Sequence, residues 1–151
     1  MIDLIKVALL SILPISELRG GIPLGLALGI NPFMVFFVAV IFNILAVPLV
    51  FFFLDNIHSH LLKYRKYKIF FDNYIKRKRG KLEGKIGTKA EFIALMVFVA
   101  VPLPMTGAWT GSVLSWFFNI RRRKAYLAII LGVLIAGIIV SLASLGIIAL
   151  F

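Results

Sequence analysis

Apolar and polar positions alternate along this chain in long blocks, and two of the apolar blocks are long enough to cross a bilayer. Residues 32–54 form an uncharged run of 23 residues, and residues 125–151 form an uncharged run of 27. A helix rises about 1.5 Å per residue, so about 20 apolar residues match the hydrocarbon thickness. The pattern therefore predicts a transmembrane helix in each run.

Two further apolar regions are too short to cross. Residues 1–13 stop at Pro14, and residues 91–101 stop at Pro102; each is followed by a Pro- and Gly-containing polar segment and a second short apolar arm. Two half-length arms joined by a polar turn are typical of a re-entrant hairpin, which is tolerated in the membrane where protein or a cavity surrounds it. We predict such hairpins over residues 1–31 and 91–119.

The distribution of charge predicts the topology. Residues 55–89 contain eleven Lys and Arg against three acidic residues, and a second basic cluster occupies residues 121–124. Lys and Arg near membrane segments are retained in the cytoplasm, which places both clusters inside and both termini outside a cell (plasma) membrane. This arrangement requires the segment between the clusters, residues 91–119, to turn back.

The two halves align when they are offset by 88 residues, which pairs Pro14 with Pro102 and Asn31 with Asn119. The predicted fold is therefore all-α integral membrane, an inverted repeat of re-entrant helical hairpin plus transmembrane helix. The first repeat is residues 1–54 and the second is residues 91–151. Such repeats are common in secondary transporters. Because two spans and two hairpins make a thin wall, we also expect a homodimer.

The linker, residues 55–90, reads as a cytoplasmic amphipathic helix. Its apolar residues recur at three- and four-residue steps between Lys, Arg, Asp and His. Such a helix lies on anionic lipid head groups, although a solvated anchoring face without specific recognition has the same pattern. The net charge of +11 is concentrated beside membrane segments, so it does not indicate nucleic acid as a partner.

Glu17 and Arg19 are the candidate site in the first hairpin, because ionisable residues within membrane segments face partners or water-filled cavities. Glu17 is either a proton- or cation-coupling carboxylate or half of a structural ion pair. Arg19 is either an anion clamp, just before a short helix starting near Ile22, or a cap for the carbonyl ends of broken helices. Neighbouring candidates that complete this tip are Pro14, Ser16, Gly20 and Gly21.

The second hairpin supplies hydroxyl donors and an aromatic wall opposite the first. Its candidate residues are Pro102, Pro104, Thr106, Gly107, Trp109 and Thr110. Asn43, in the middle of the first span, is a candidate to line the cavity or to hydrogen-bond a hairpin. Trp109 is also compatible with an interfacial aromatic belt, as is Trp116.

The sequence contains no pattern typical of an enzyme or a metal protein. Cys is absent, and His58 and His60 lie two residues apart, on different faces of a helix. No nucleophile–base pair or metal-ligand set is recognisable, so we expect no catalytic residue, no metal and no cofactor.

Two motifs give the chain a family resemblance. It resembles the small multidrug export proteins and, more distantly, the DedA (VTT-domain) superfamily, through Pro14-x-Ser16-Glu17, Arg19-Gly20-Gly21 and Pro102-x-Pro104-x-Thr106-Gly107-Ala108-Trp109-x-Gly111. The resemblance implies paired re-entrant loops and, for DedA proteins, transport of phosphorylated lipids. The arginines typical of the second DedA hairpin have no counterpart between Pro102 and Trp116.

These observations leave three function hypotheses. The first is a transporter or translocase of an amphipathic, phosphorylated lipid-like substrate, coupled to protons or cations. The second is a small multidrug exporter of hydrophobic cations, which Glu17 favours and Arg19 disfavours. The third is a non-transporting membrane scaffold that binds anionic lipid through its basic surface.

Overall fold

The chain folds into helices throughout the part that a computed structural model describes, which is residues 2–61, 89–103 and 106–148. Six helices lie in these ranges: α1 Ile2–Ile12, α2 Glu17–Ala27, α3 Pro32–Leu61, α4 Lys89–Ala100, α5 Ala108–Phe117 and α6 Arg122–Ile148. The predicted all-α class is confirmed for them. Helix α3 continues past the predicted end of the first span. The rest of the predicted amphipathic linker, residues 62–88, lies outside the described residues, and so does Pro104.

Two helices are long and apolar enough to cross a membrane: Pro32–Ile57 within α3 and Arg122–Ile147 within α6. Both expose large apolar side chains, such as Phe33 and Phe52 on α3 and Leu127 and Leu142 on α6. Such apolar surfaces are solvated poorly by water and well by lipid. The molecule is therefore a membrane protein with two candidate spans and four shorter helices.

Close helix packing depends on small residues, as their four-residue spacing predicts. A Cβ added at Gly25 in α2 would lie 2.7 Å from both methyl groups of Val35 in α3. A Cβ added at Gly132 in α6 would lie 2.7 Å from the Cβ of Val99 in α4. Glycine at these positions lets the helix backbones approach each other, and it brings all six helices around one core.

Helix α2 begins at Glu17, so the prediction that the second arm starts near Ile22 is wrong. The Glu17 N–H donates to the Leu13 carbonyl at 3.0 Å, and Glu17 itself adopts the left-handed conformation (φ 50°), so the chain turns at this residue before α2 continues. Pro23 then lies inside α2 instead of starting it. Arg19 is consequently a residue of the first turn of α2, not a residue ahead of the helix.

The turn that ends α2 recurs at the end of α5, 90 residues later. The N–H groups of Leu28, Gly29 and Ile30 donate to Leu24, Leu26 and Gly25, and those of Phe118, Asn119 and Ile120 donate to Leu114, Trp116 and Ser115. Gly29 (φ 72°) and Asn119 (φ 56°) both adopt the left-handed conformation, as in a Schellman cap. Asn119 therefore corresponds to Gly29, and its predicted pairing with Asn31 is wrong.

Burial follows the same offset. Along α3 and α6 the buried positions coincide at a spacing of 90 residues: 35 with 125, 39 with 129, 43 with 133, 46 with 136, 47 with 137 and 50 with 140. In α1 and α4 the spacing is 88, which pairs Val7 with Leu95 and Ser11 with Val99. The offset thus grows by two residues after the first helix of each pair, which a single offset in the sequence cannot reveal.

Candidate functional site

The helices are interrupted twice, between α1 and α2 and between α4 and α5. These two breaks meet at the carboxylate of Glu17, the first residue of α2. Its side chain is buried, and the residue is only 5% exposed. Oε1 accepts a hydrogen bond from the backbone N–H of Trp109 at 3.2 Å, at the N-terminus of α5. A Cβ added at Gly107 would overlap the carboxylate, so only glycine lets α5 start this close to Glu17. The carboxylate of one helix pair therefore occupies the helix N-terminus of the other, where an anion is favoured.

Arg19 connects the same two breaks in the opposite direction. Its Nη2 donates to the carbonyl of Val101 at 3.0 Å, to the carbonyl of Thr106 and to Thr106 Oγ1 at 3.1 Å. Val101 directly follows the last residue of α4, so Arg19 caps the carbonyl end of that helix. Nη1 lies 3.6 Å from Glu17 Oε2. Of the two roles expected from the sequence, the contacts observed are those of the carbonyl cap.

Trp109 makes the reciprocal contact. Its indole Nε1 donates to the carbonyl of Ile12 at 2.9 Å, and Ile12 is the last residue of α1. Trp109 stands 90 residues after Arg19, in the first turn of α5. A side chain in the first turn of α2 therefore binds the carbonyl end of α4, and a side chain in the first turn of α5 binds the carbonyl end of α1. The carbonyl groups at the end of a helix are otherwise unpaired. Trp109 is partly buried and connects the start of α5 to the end of α1.

Asn43 of α3 faces this crossing and is fully buried. The amide lies within reach of the Glu17 carboxylate as a hydrogen-bond donor, but neither Oδ1 nor Nδ2 makes a hydrogen bond of good geometry. Arg19 Nε is likewise buried and unpaired. The space between these groups does not admit a water molecule, and it is lined by Glu17, Leu18, Arg19, Asn43, Val99, Gly107, Ala108, Val133 and Ala136.

The remaining candidates from the first hairpin lie outside this space. Ser16 Oγ donates to the Leu10 carbonyl at 2.6 Å. Gly20 packs against Ser16, and Gly21 packs against the side chain of Ser11. Gly21 thus allows α2 to pack closely against α1, whereas Gly20 faces the residue that precedes its own helix. Pro14 is exposed in the first break.

Candidates from the second hairpin divide in the same way. Thr106 belongs to the crossing: its hydroxyl accepts from Arg19 and is within donating distance of two carbonyls, Val101 at 2.7 Å and Leu103 at 2.9 Å. Thr110 is partly buried in α5 and does not line the enclosed space. Pro102 is exposed in the second break.

Sequence reasoning expected a carbonyl cap as one role for Arg19, but it did not identify the carbonyl that Trp109 contacts, and it missed a polar cluster elsewhere. Asp55 of α3 pairs with Arg122 of α6 and accepts from the Trp116 indole at 3.1 Å. The Arg122 guanidinium also lies 5.2 Å from the centroid of the Phe51 ring. A signal was available, because Asp55 and Arg122 lie at the edges of the two long uncharged runs.

Within residues 2–61, 89–103 and 106–148, no group of three His, Cys, Asp or Glu side chains is placed to hold a metal ion. Glu17 is the only buried acidic side chain in these ranges. The arrangement brings one carboxylate, one guanidinium and one amide together among apolar side chains.

Comparison with protein families agrees with this description. Residues 17–139, most of the chain, match the family model described as "Putative small multi-drug export protein". The chain belongs to this family. The matched region starts at Glu17, directly after the first break, and includes the second break, the whole first candidate span and most of the second. Searches of curated proteins and of solved structures gave no match. The relation to DedA proteins stays a prediction from the two motifs.

Proposed function

We propose that this protein is a secondary transporter that moves an amphipathic, phosphorylated lipid-like substrate across the plasma membrane. The observation that carries the proposal is the buried Glu17–Arg19 pair, placed where two broken helices cross. Ionisable groups in membrane segments are costly and mark substrate or ion pathways. Discontinuous helices meeting at a substrate site are a recurring feature of transporters.

The packing of the long helices supports an inverted repeat. The ion pair between Asp55 and Arg122 places the C-terminal part of α3 beside the start of α6. With α3 and α6 as the spans, the basic segments that follow α3 and begin α6 then share one side, the cytoplasmic one. The helix pairs α1–α2 and α4–α5 are then re-entrant, from outside and from inside respectively. The hydrogen bonds and burial repeated 90 residues apart support the same division.

The substrate class follows from the charges at the crossing. Arg19 and the N-terminus of α5 both favour an anion, and a phosphate head group offers several acceptor oxygens. Exposed apolar residues on the breaks, such as Ile15 and Leu103, suit a lipid-like tail. In this proposal the basic linker binds anionic head groups as an anchor, and a homodimer shields the hairpins from lipid.

Export of hydrophobic cations is the second candidate, because the family description names multi-drug export and Glu17 is a buried carboxylate. The guanidinium 3.6 Å from Glu17 Oε2 weakens the attraction of that carboxylate for a cation. We therefore place an anionic substrate first and use ligand stabilisation to separate the two.

A thermal-shift series on the purified protein tests the proposal. Phosphate-bearing amphiphiles should raise the melting temperature more than lipophilic cations with the same alkyl chains, since a ligand that binds only the folded form stabilises it. Arg19→Ala should remove this preference, whereas neutralising the charges of Lys76, Arg77, Lys78 and Arg79 should leave it. Stronger stabilisation by cations would support drug export instead. A preference that follows the linker charges would support a lipid-binding scaffold.

A further inference from the structure

We propose that Glu17 occupies the substrate's own anion site, so that an anionic head group binds at Arg19 and the α5 N-terminus only after Glu17 is protonated and moves away. The inference rests on the proposed function for its substrate class and adds a rule of coupling to it. Binding of one anion therefore requires binding of one proton, at Glu17. The site holds either the deprotonated Glu17 carboxylate or the anion, never both.

The contacts of Glu17 are those that a ligand oxyanion would make. Its Oε1 accepts from the N–H of Trp109 at 3.2 Å, and its Oε2 faces Arg19 Nη1 at 3.6 Å. Helix α5 is ten residues long, so its N-terminus contributes a full helix dipole to the bound charge. Gly107 keeps this position open, because any side chain there would overlap the carboxylate.

Asn43 is the independent sign that Glu17 is not the site's best ligand. This amide is fully buried and faces the enclosed space, yet both of its polar atoms lack a hydrogen bond. A buried polar group without a partner is costly, and such groups are uncommon in folded proteins. The Glu17 carboxylate lies within reach of Asn43 but does not satisfy it with good geometry, and the Nε of Arg19 is also unpaired, so two donors remain available. A tetrahedral phosphate head has enough oxygens to accept from both.

Competition follows from the lack of room. The space is too small for a water molecule, so it has no room for a phosphate head group while the carboxylate remains. The charged and titratable groups around it, among the described residues, reduce to Glu17 and Arg19. Helix α3 contributes Asn43, α4 contributes Val99, α5 contributes backbone N–H groups, and α6 contributes Val133 and Ala136. Two anions at one site repel each other, and protonation of Glu17 removes that repulsion together with its attraction to Arg19.

Binding measured against pH tests this coupling on the full-length protein in detergent. The probe is dihexyl phosphate, a phosphodiester with no second ionisation, unlike a phosphomonoester. Wild-type affinity should rise about tenfold for each pH unit of acidification, as one linked proton requires. Glu17→Gln, which resembles the protonated carboxyl, should bind independently of pH and more tightly than wild type at about pH 8. A wild-type affinity that does not change with pH overturns the proposal without any variant.

A second variant tests the site itself. Asn43→Val introduces the residue found at the equivalent position of α6, Val133, so the substitution suits a buried helix position. In the Glu17→Gln background it should weaken binding of dihexyl phosphate about tenfold, the loss expected for one hydrogen bond to a charged group. Ser141→Ala is the matched control, because it also removes a buried, unpaired polar atom but does not line the space. Equal effects of the two substitutions would overturn the role of Asn43.

Failure of this inference and failure of the proposed function are distinguishable. If Glu17→Gln binds tightly and independently of pH but wild-type proteoliposomes move no lipid phosphate, the site assignment stands and the transporter assignment fails. If wild-type protein transports the substrate while Glu17→Gln binds less tightly than wild type, or still binds more tightly at acid pH, the inference is overturned and the transporter assignment stands.

Discussion

Glu17 and Gly107 lie 90 residues apart, the spacing at which the turns and the burial recur. Only Glu17 carries a side chain. The reason is steric, because a side chain at Gly107 would overlap the Glu17 carboxylate. The neighbouring equivalent pair is also unlike: Arg19 provides a guanidinium where Trp109 provides an indole. The crossing therefore holds one carboxylate and one guanidinium, whereas a symmetric arrangement would hold two carboxylates and two guanidinium groups. A symmetric pair of carboxylates in this small space would repel.

The steric relation between Glu17 and Gly107 can be measured as a coupling energy. Gly107→Ala should lower the free energy of unfolding by about 1–3 kcal/mol, the usual cost of overpacking, because Glu17 must move. In a Glu17→Ala background the same substitution should cost much less, since the overlapping atoms are gone. Chemical denaturation of the four proteins in detergent gives the cycle.

Gly146→Ala is the control for this cycle. An added Cβ at that position has no neighbour within 4 Å, so its effect should be small and independent of Glu17. Equal costs for Gly107→Ala in both backgrounds would show that the carboxylate does not rest against Gly107.

At the scale of helices, the exchange of caps between the two pairs explains how broken helices persist in an apolar environment. Arg19 of α2 satisfies carbonyls at the end of α4, and Trp109 of α5 satisfies the last carbonyl of α1. Unpaired carbonyls in lipid cost several kcal/mol each. The four short helices therefore depend on one another, and a change in one break is felt in the other.

Arg19→Lys separates the cap from the charge. Lysine keeps the positive charge near Glu17 but lacks the fork that contacts Val101 and Thr106 together. The free energy of unfolding should fall by about 1–3 kcal/mol, because buried carbonyls lose their donors. The matched control is Arg122→Lys, which alters an ion pair that is largely exposed and should cost about 1 kcal/mol or less. Equal losses at both positions would argue against a capping role for Arg19.

The sequence predicted the helical class, both spans and the residues that meet at the crossing, because each has a clear signal. Long uncharged runs identify α3 and α6, and an acid and a base inside apolar sequence identify Glu17 and Arg19. The start of α2 was mispredicted because Pro23 resembles a helix start. A carbonyl cap was expected for Arg19, but which carbonyls Arg19 and Trp109 contact was missed because backbone carbonyls have no sequence signal. The correspondence of Arg19 with Trp109 was hidden because the offset changes from 88 to 90 residues within the chain.

At the scale of the whole molecule, the arrangement of charge and packing points to one topology. Asp55 and Arg122 are far apart in sequence but form an ion pair, so α3 ends close to where α6 begins. This proximity supports the proposed topology, in which the basic segments next to these two residues share a side of the membrane, as the positive-inside rule favours. A chain that crossed once between them would separate the two clusters and could not form this ion pair.

Labelling single cysteines in intact cells tests the topology, and the chain has no native Cys to remove. Cysteines replacing His60 and Arg121 should both resist a membrane-impermeant maleimide until the cells are opened. A cysteine replacing Ile2, whose side chain is exposed, should react from outside. Arg121 is chosen because its substitution leaves the Asp55–Arg122 ion pair intact, so the packing that predicts the result is preserved. Labelling of positions 60 and 121 from opposite faces would show that residues 91–119 cross the membrane. It would also remove the basis for a site formed by two re-entrant hairpins.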